Sequence, residues 1–92
     1  MIGLNEIRKR IIFHGDVQGV GFRYRAKYLA QSLGLTGWVK NQYDGTVLME
    51  VQGSSKVIDD LILGLKTGTF IYIDWMDVTI IPTESEYGFH AE

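Results

Sequence analysis

Two stretches of this chain carry apolar residues at the spacing of a helix, and each is bracketed by stretches that alternate at the spacing of a strand. That order leaves few folds open. Phe22, Ala26, Leu29, Ala30 and Leu33 fall at offsets of four, seven, eight and eleven, one continuous stripe, and Gly34 follows as a stop. Val57, Ile58, Leu61, Ile62 and Leu65 form a second stripe, with Ser54 or Ser55 placed to cap its start and Gly68 marking its exit. Ahead of the first stripe, Ile7, Lys9, Ile11 and Phe13 alternate with Arg8, Arg10, Ile12 and His14, which predicts a strand over 7–14 and a loop over 15–21. Between the stripes, Thr36–Asn41 (TGWVKN) and Thr46–Gln52 read as a hairpin joined through Asp44-Gly45, with Val47, Met49 and Val51 on one face and Gly53 ending the strand. After the second stripe, residues 70–81 (FIYIDWMDVTII) form a long apolar strand whose spacing slips between Ile73 and Met76, predicting a bulge near Asp74 and Trp75. Tyr87 to Ala91 can add a short fifth edge strand.

The order β-α-β-β-α-β is the split βαβ, or ferredoxin-like, arrangement. It is an α+β sandwich in which two right-handed crossovers place both helices on one face of an antiparallel sheet. A chain of 92 residues suffices for one modest core, so a single domain over 1–92 is expected. With 46% hydrophobic residues, 22% charged residues and one proline, the composition is that of a globular protein. The absence of cysteine excludes a disulfide scaffold and a thiolate metal site, and it fits a reducing compartment. Glu6, Arg8, Lys9 and Arg10 stand where a signal peptide needs apolar residues, and nothing further on is long enough to span a bilayer. A cytoplasmic protein without a membrane partner is therefore expected. A net charge of -2 disfavours a nucleic-acid partner, and the segment TVLMEVQ lacks the aromatics that a sheet needs to stack on RNA bases. A small anion remains open, because one local cation suffices for it.

That cation is found in GDVQGVGFR, residues 15–23. Arg23 falls in the first helical turn, where free N–H groups and the helix dipole already create positive potential, unfavourable by ~0.3–1 kcal/mol at exposed sites. A phosphate or carboxylate held by Arg23 and by loop amides would compensate it, and glycines let the backbone curl inward without a Cβ in the way. On these residues alone a second reading stands beside the first: a plain connecting loop, with Arg23 paired to Asp16. The spacing is not that of a P-loop, since Phe22 occupies the lysine position, and nucleotide binding is not expected. In the expected topology the first two strands run parallel with the third between them. The loop and Asn41 then leave the same sheet edge ~10 Å apart at the backbone.

The segments GDVQGVGFR, LGLTGWVKN and DGTVLMEVQG together resemble the acylphosphatase family, with matching spacing from Gly15 to Gly53. Beyond Gly53 the match is one of pattern only. The resemblance implies hydrolysis of acyl phosphates, without metal or other cofactor, to a carboxylate and inorganic phosphate. The expected partner is thus a small acyl phosphate, with inorganic phosphate or a similar anion able to occupy the loop. It implies Arg23 as the phosphate-binding residue and Asn41 as the residue positioning the attacking water. The backbone amides of Gly15, Asp16, Val17, Gln18, Gly19 and Val20 complete the cradle. Asp16 would oppose an anion unless its side chain points to solvent. Residues 67–73 (TGTFIYI) lack a proline expected in many relatives and are more apolar, which leaves either a buried edge or self-association through an exposed strand; a monomer is the default. His14 is read as a hydrogen-bonded strand-end residue rather than a phosphorylated nucleophile, and His90 as a surface residue too distant from it to share a metal. Trp38 is expected to pack, Tyr43 to decorate the turn, and Asp59 and Asp60 to lie on an exposed helical face. Two other readings stand beside the enzyme. One is a noncatalytic ferredoxin-like binding module. The other is the acylphosphatase-like leader of larger carbamoyl-transfer maturation enzymes, which would carry a zinc-finger segment after Glu92 and is not expected here.

Overall fold

Period-two alternation and helical stripes become elements in the expected order in the structure, a computed structural model that describes residues 5–92; residues 1–4 of the expected domain lie outside the described residues. The elements are β1 (Glu6–Asp16), α1 (Phe22–Ser32), β2 (Thr36–Asn41), β3 (Val47–Ser54), α2 (Ser55–Lys66), β4 (Tyr72–Ile81) and β5 (Phe89–Ala91). They form a five-stranded sheet in the order β4-β1-β3-β2-β5. Ser54, at the end of β3, caps α2 by accepting from the amide of Val57 at 3.3 Å. Asp74 is the extra residue of the expected bulge: His14 pairs with Trp75, and the next residue, Gly15, pairs with Ile73.

The expectation of a wholly antiparallel sheet needs one correction. β4-β1-β3-β2 is antiparallel throughout, but β5 pairs with β2 in parallel, Gly37 with Phe89 and Val39 with Ala91. The reason lies in the connection. Residues 82–88 must cross from one sheet edge to the other, four strand spacings or roughly 19 Å, within the reach of seven extended residues at roughly 24 Å. They deliver the chain at the sheet end where β4 stops and β2 starts, so the next strand runs along β2. A second correction concerns β1, which continues through Gly15 and Asp16, so the free loop begins at Val17.

Both helices cover one face. There Ile11 and Phe13 of β1, Met49 and Val51 of β3 and Val39 of β2 meet Phe22, Ala26 and Ala30 of α1 and Ile58, Leu61 and Leu65 of α2, all buried. Burial of this kind stabilises by about 25 cal/mol for each Å² of apolar surface removed from water.

The opposite face is organised around a charge. Arg8 is 0% exposed and donates through Nε to Glu50 at 3.0 Å and through Nη1 to Glu86 at 2.7 Å and Gln52 at 3.4 Å. Arg10 completes the pair on Glu50 with Nε at 3.1 Å and Nη2 at 2.9 Å. Gln52 in turn clasps the backbone of Glu84, donating to its carbonyl at 2.7 Å and accepting from its amide at 2.8 Å. This clasp holds the 82–88 connection against the sheet. Burial pushes the Glu50 carboxyl up, but the hydrogen bonds from Arg10 and Arg8 outweigh it and leave it below its ordinary value. For Arg8, burial pulls down and the bonds from Glu86 and Glu50 outweigh it, leaving it above its ordinary value.

A carboxyl whose folded pKa is depressed stabilises the fold above its unfolded pKa, and that contribution disappears as pH falls through the folded one. Glu50→Gln is therefore expected to lower unfolding free energy at neutral pH by about 3 kcal/mol, the scale of a broken buried pair. The gap to the parent should close as pH drops below the ordinary carboxylate range. Urea melts of both proteins between neutral and acid pH check this, and a gap independent of pH would contradict it.

Candidate functional site

β1 and β2 flank β3 and run parallel to each other, and the register fixes their heights. Val47 of β3 pairs with Phe13 on one side and with Asn41 on the other. Asn41 thus ends β2 level with Phe13, beside the point where β1 feeds the loop 17–21. Two buried side chains anchor that loop, Val17 at its start and Phe22 just past its end, and the Phe22 ring lies 4.9 Å from that of Phe13. Between them Val20 packs partly against the core and Gln18 is half-buried, while Gly19 and Gly21 are exposed.

The glycines serve two different needs. Gly19 and Gly21 have φ of 72° and 80°, and a Cβ on either would meet nothing within 4 Å. They are required by the handedness of the turn and border open space. Gly15, with φ of 128°, is required by contact, since a Cβ there would stand 2.2 Å from the carbonyl oxygen of Tyr72 on β4. Among the described residues, no backbone or side-chain acceptor receives the amide hydrogens of Val17 to Gly21. Gly21 starts α1 in the left-handed conformation with no side-chain cap, so the first-turn N–H groups add to the same row of donors.

These donors border a pocket of ≈ 170 Å³ whose walls include Gly19, Gly21, Arg23, Tyr24 and Asn41. The structure therefore brings together Arg23, Asn41 and the loop backbone from Val17 onward. Gly15 and Asp16 stand apart from this pocket, in the β1–β4 ladder, and Asp16 is exposed. Arg23 is half-buried, and its partner is not Asp16. Its Nη1 donates to the backbone carbonyl of Glu92, just past β5.

Two contributors were invisible in the sequence. The side-chain amide of Gln18 donates to the carbonyls of Gln42 at 2.7 Å and Thr46 at 2.8 Å, bracing the loop against the β2–β3 turn. That turn is itself fixed. Asp44 Oδ1 accepts from the hydroxyl of Thr46 at 2.6 Å and from its amide at 3.0 Å, and these bonds hold the Asp44 carboxyl below its usual value. The other contributor is the Glu92 carbonyl, which restrains the guanidinium of Arg23 from outside the matched motifs. Nothing in the motif spacing announces either contact. The QG pair marks a turn, and only the fold shows which carbonyls lie opposite.

The remaining singled-out residues sit elsewhere. His14 stacks on Trp75 with ring centroids 3.8 Å apart and meets Asp77 Oδ2 at 3.1 Å, on the helix-free face. His90 is exposed and meets the carbonyl of Tyr87 at 2.9 Å. Trp38 is half-buried with the Lys40 ammonium 5.4 Å from its ring centre, and Tyr43 is fully exposed. Asp59 and Asp60 lie on the exposed side of α2, with Lys56 Nζ 3.3 Å from Asp60. A second concavity of ≈ 160 Å³, under the 82–88 connection, is bordered by Glu6, Glu84 and Glu86, and its sign repels an anion. No helix of the described residues is long and apolar enough to cross a membrane.

With this geometry in hand, the chain can be set beside known proteins. The sequence profile of the acylphosphatase family matches residues 9–91. An acylphosphatase of Ligilactobacillus salivarius is 42% identical over 82 residues, covering 87% of this chain and 91% of the relative. One of Clostridium perfringens is 41% identical over 85 residues, covering 88% and 96%. The crystal structure of acylphosphatase from Bacillus subtilis superposes with a TM-score of 0.86 at 34% identity, covering 94% of this chain and 98% of that one.

The brace by Gln18 makes a separate prediction. Gln18→Ala is expected to cost about 1 kcal/mol of stability, the net scale of a hydrogen bond to carbonyls that keep other partners. It should also raise amide exchange in residues 18–21 well above that in α1. Unchanged exchange in the loop would show that Gln18 does not brace it.

Proposed function

The chain belongs to the acylphosphatase family and hydrolyses acyl phosphates, and from that premise we propose that Arg23, Asn41 and the loop amides from Val17 to Gly21 form its active site. The observation that carries the proposal is the convergence of one guanidinium, one carboxamide and a row of partnerless amides on a single pocket.

In this reading the phosphoryl group of the substrate sits against the loop, with Arg23 presenting its planar fork to two phosphate oxygens. The amides from Val17 onward meet the charge that redistributes over the equatorial oxygens as the P–O bond to the acyl group lengthens. Gly15 and Asp16 lend the loop its root in the β1–β4 ladder, and the exposed Asp16 carboxylate stays in solvent. The Glu92 carbonyl engages only Nη1 of Arg23, leaving its remaining N–H groups for the anion.

Asn41 has no basic group at neutral pH, but its carbonyl oxygen accepts from a water and its NH₂ donates. It therefore aims the nucleophile rather than deprotonating it, and a phosphate oxygen takes the proton. The bond from water oxygen to phosphorus forms, the bond from phosphorus to the acyl oxygen breaks, and the carboxylate departs with the electron pair. A carboxylate is a good leaving group, so positioning and charge stabilisation suffice and the pathway calls for no metal. We further place the activity in one domain over 1–92 and in the cytoplasm. A cysteine-free sequence supports a reducing setting.

Phosphate release from a generic aromatic acyl phosphate, measured in chelator, tests the assignment. Arg23→Ala is expected to lose nearly all turnover. Asn41→Ala is expected to lose on the order of 10²–10³-fold, the scale of one preorganised transition-state contact. Near-normal turnover in either variant, with the fold intact, removes the corresponding role.

A further inference from the structure

Once the attacking water is placed, an in-line displacement fixes where the rest of the substrate lies. The oxygen that attacks and the acyl oxygen that leaves stand on opposite sides of phosphorus, so a water held by Asn41 sends the acyl group away from Asn41. Two concavities meet at that residue. One, of ≈ 500 Å³, is walled by Lys40, Asn41, Gln42 and Tyr43, along the end of β2 and its turn. The other is the pocket of the loop, whose walls besides Asn41 come from the loop and the first turn of α1. The concavity at Lys40 and Tyr43 is then on the water's side, and the acyl group extends toward the loop and the helix.

On that side few side chains are free to meet it. Val17 and Phe22 are buried, Gly19 and Gly21 have no side chain, and Arg23 faces the anion and the carbonyl of Glu92. Tyr24 remains, a wall of the pocket that is 66% exposed. One helical turn on, Tyr28 is also exposed, and its ring centroid lies 4.6 Å from that of Tyr24 at a tilt of 54°. These rings add nothing to the core, to which α1 contributes Phe22, Ala26 and Ala30. A hydrogen bond with Tyr28 raises the Tyr24 phenol above its ordinary value, so the pair stays neutral at working pH and does not repel an anionic substrate.

We propose that Tyr24 and Tyr28 form the acyl-group subsite and select acyl phosphates with a flat aromatic acyl group over those with a short aliphatic one, an inference that rests on the placement of phosphate at Arg23 and water at Asn41. Phosphorus is joined to the acyl carbonyl through one oxygen, so an aryl ring begins three bonds, roughly 4 Å, from phosphorus. That is within one helical turn of ~5.4 Å, which brings the ring onto Tyr24 and its far edge toward Tyr28. A methyl group in the same place has no π face to offer and ends short of the second ring. Aromatic rings prefer tilted or offset contact with centroids ~4.5–7 Å apart, an arrangement that Tyr24 and Tyr28 already adopt with each other. Tyr24 is thus a specificity-determining residue that touches the acyl group, and Tyr28 holds its ring in place.

Phosphate release from benzoyl phosphate and from acetyl phosphate tests the subsite, with kcat/KM of each variant divided by that of the parent so that the intrinsic reactivity of the two anhydrides cancels. Tyr24→Ala is expected to lose about 5- to 10-fold more on benzoyl phosphate than on acetyl phosphate, mainly through KM, the scale of one aromatic contact. Tyr28→Ala should shift the preference in the same direction by about 3-fold. Tyr24→Phe keeps the ring and should retain the parent preference. Tyr43→Ala, on the water's side, should leave the preference unchanged. Equal losses on the two substrates in Tyr24→Ala, or a loss selective for benzoyl phosphate in Tyr43→Ala instead, overturn the proposal. Arg23→Ala in the same assay separates that outcome from a failure of the active-site reading, because its turnover is expected to collapse on both substrates whether or not the tyrosines discriminate between them.

Discussion

The loop between β1 and α1 is fastened by what its ends bury. Val17 and Phe22 lie in the core, with Phe22 against Phe13 of the preceding strand, and the residues between them contribute mostly backbone to the surface. A segment tied at both ends to a close-packed interior has little freedom to reorganise around a ligand, so its amides point where the fold sends them. Left-handed glycines at 19 and 21 then make the bend possible without filling the pocket it encloses. Catalysis of the kind proposed depends on such fixed donors, because dipoles that must reorient during the reaction stabilise its charge far less.

The two faces of the sheet divide the remaining tasks. The helix face builds the apolar core and positions the loop and Asn41 through the common register of β1, β3 and β2. The other face carries a buried guanidinium, Arg8, whose carboxylate and amide partners hold the 82–88 connection across the strands. That connection delivers β5, and the residue just beyond β5 accepts from Arg23. The clasp on one face and the proposed phosphate-binding arginine on the other are thus successive links of one chain path. Buried ion pairs are a poor source of net stability compared with apolar packing. Arg8 is better understood through what it fixes in place.

Much of the fold was legible because one-sided burial imposes periodicity. Two helical stripes, the alternation of β1, the Asp44-Gly45 hairpin and the slip at Asp74 all translated into observed elements. The parallel pairing of β5 was not legible, since nothing local to Tyr87–Ala91 records which sheet end the preceding connection reaches. Arg8 was hidden for a related reason. Its place on the polar side of the β1 alternation reads as solvent-facing, and only the return of 82–88 over that side buries it. For the candidate site, Arg23, Asn41 and the loop were readable from motif and topology. The brace from Gln18 and the contact from Glu92 depend on carbonyls supplied by distant segments.

Titration of inorganic phosphate into isotopically labelled protein, followed by amide and side-chain nitrogen shifts, tests the central claim most directly. The account predicts that the amides of Val17 to Gly21, the guanidinium of Arg23 and the carboxamide of Asn41 move together on one binding curve, while signals around Glu84 and Glu86 stay still. Saturable shifts confined to another part of the surface, or a loop whose amides do not respond, would contradict it.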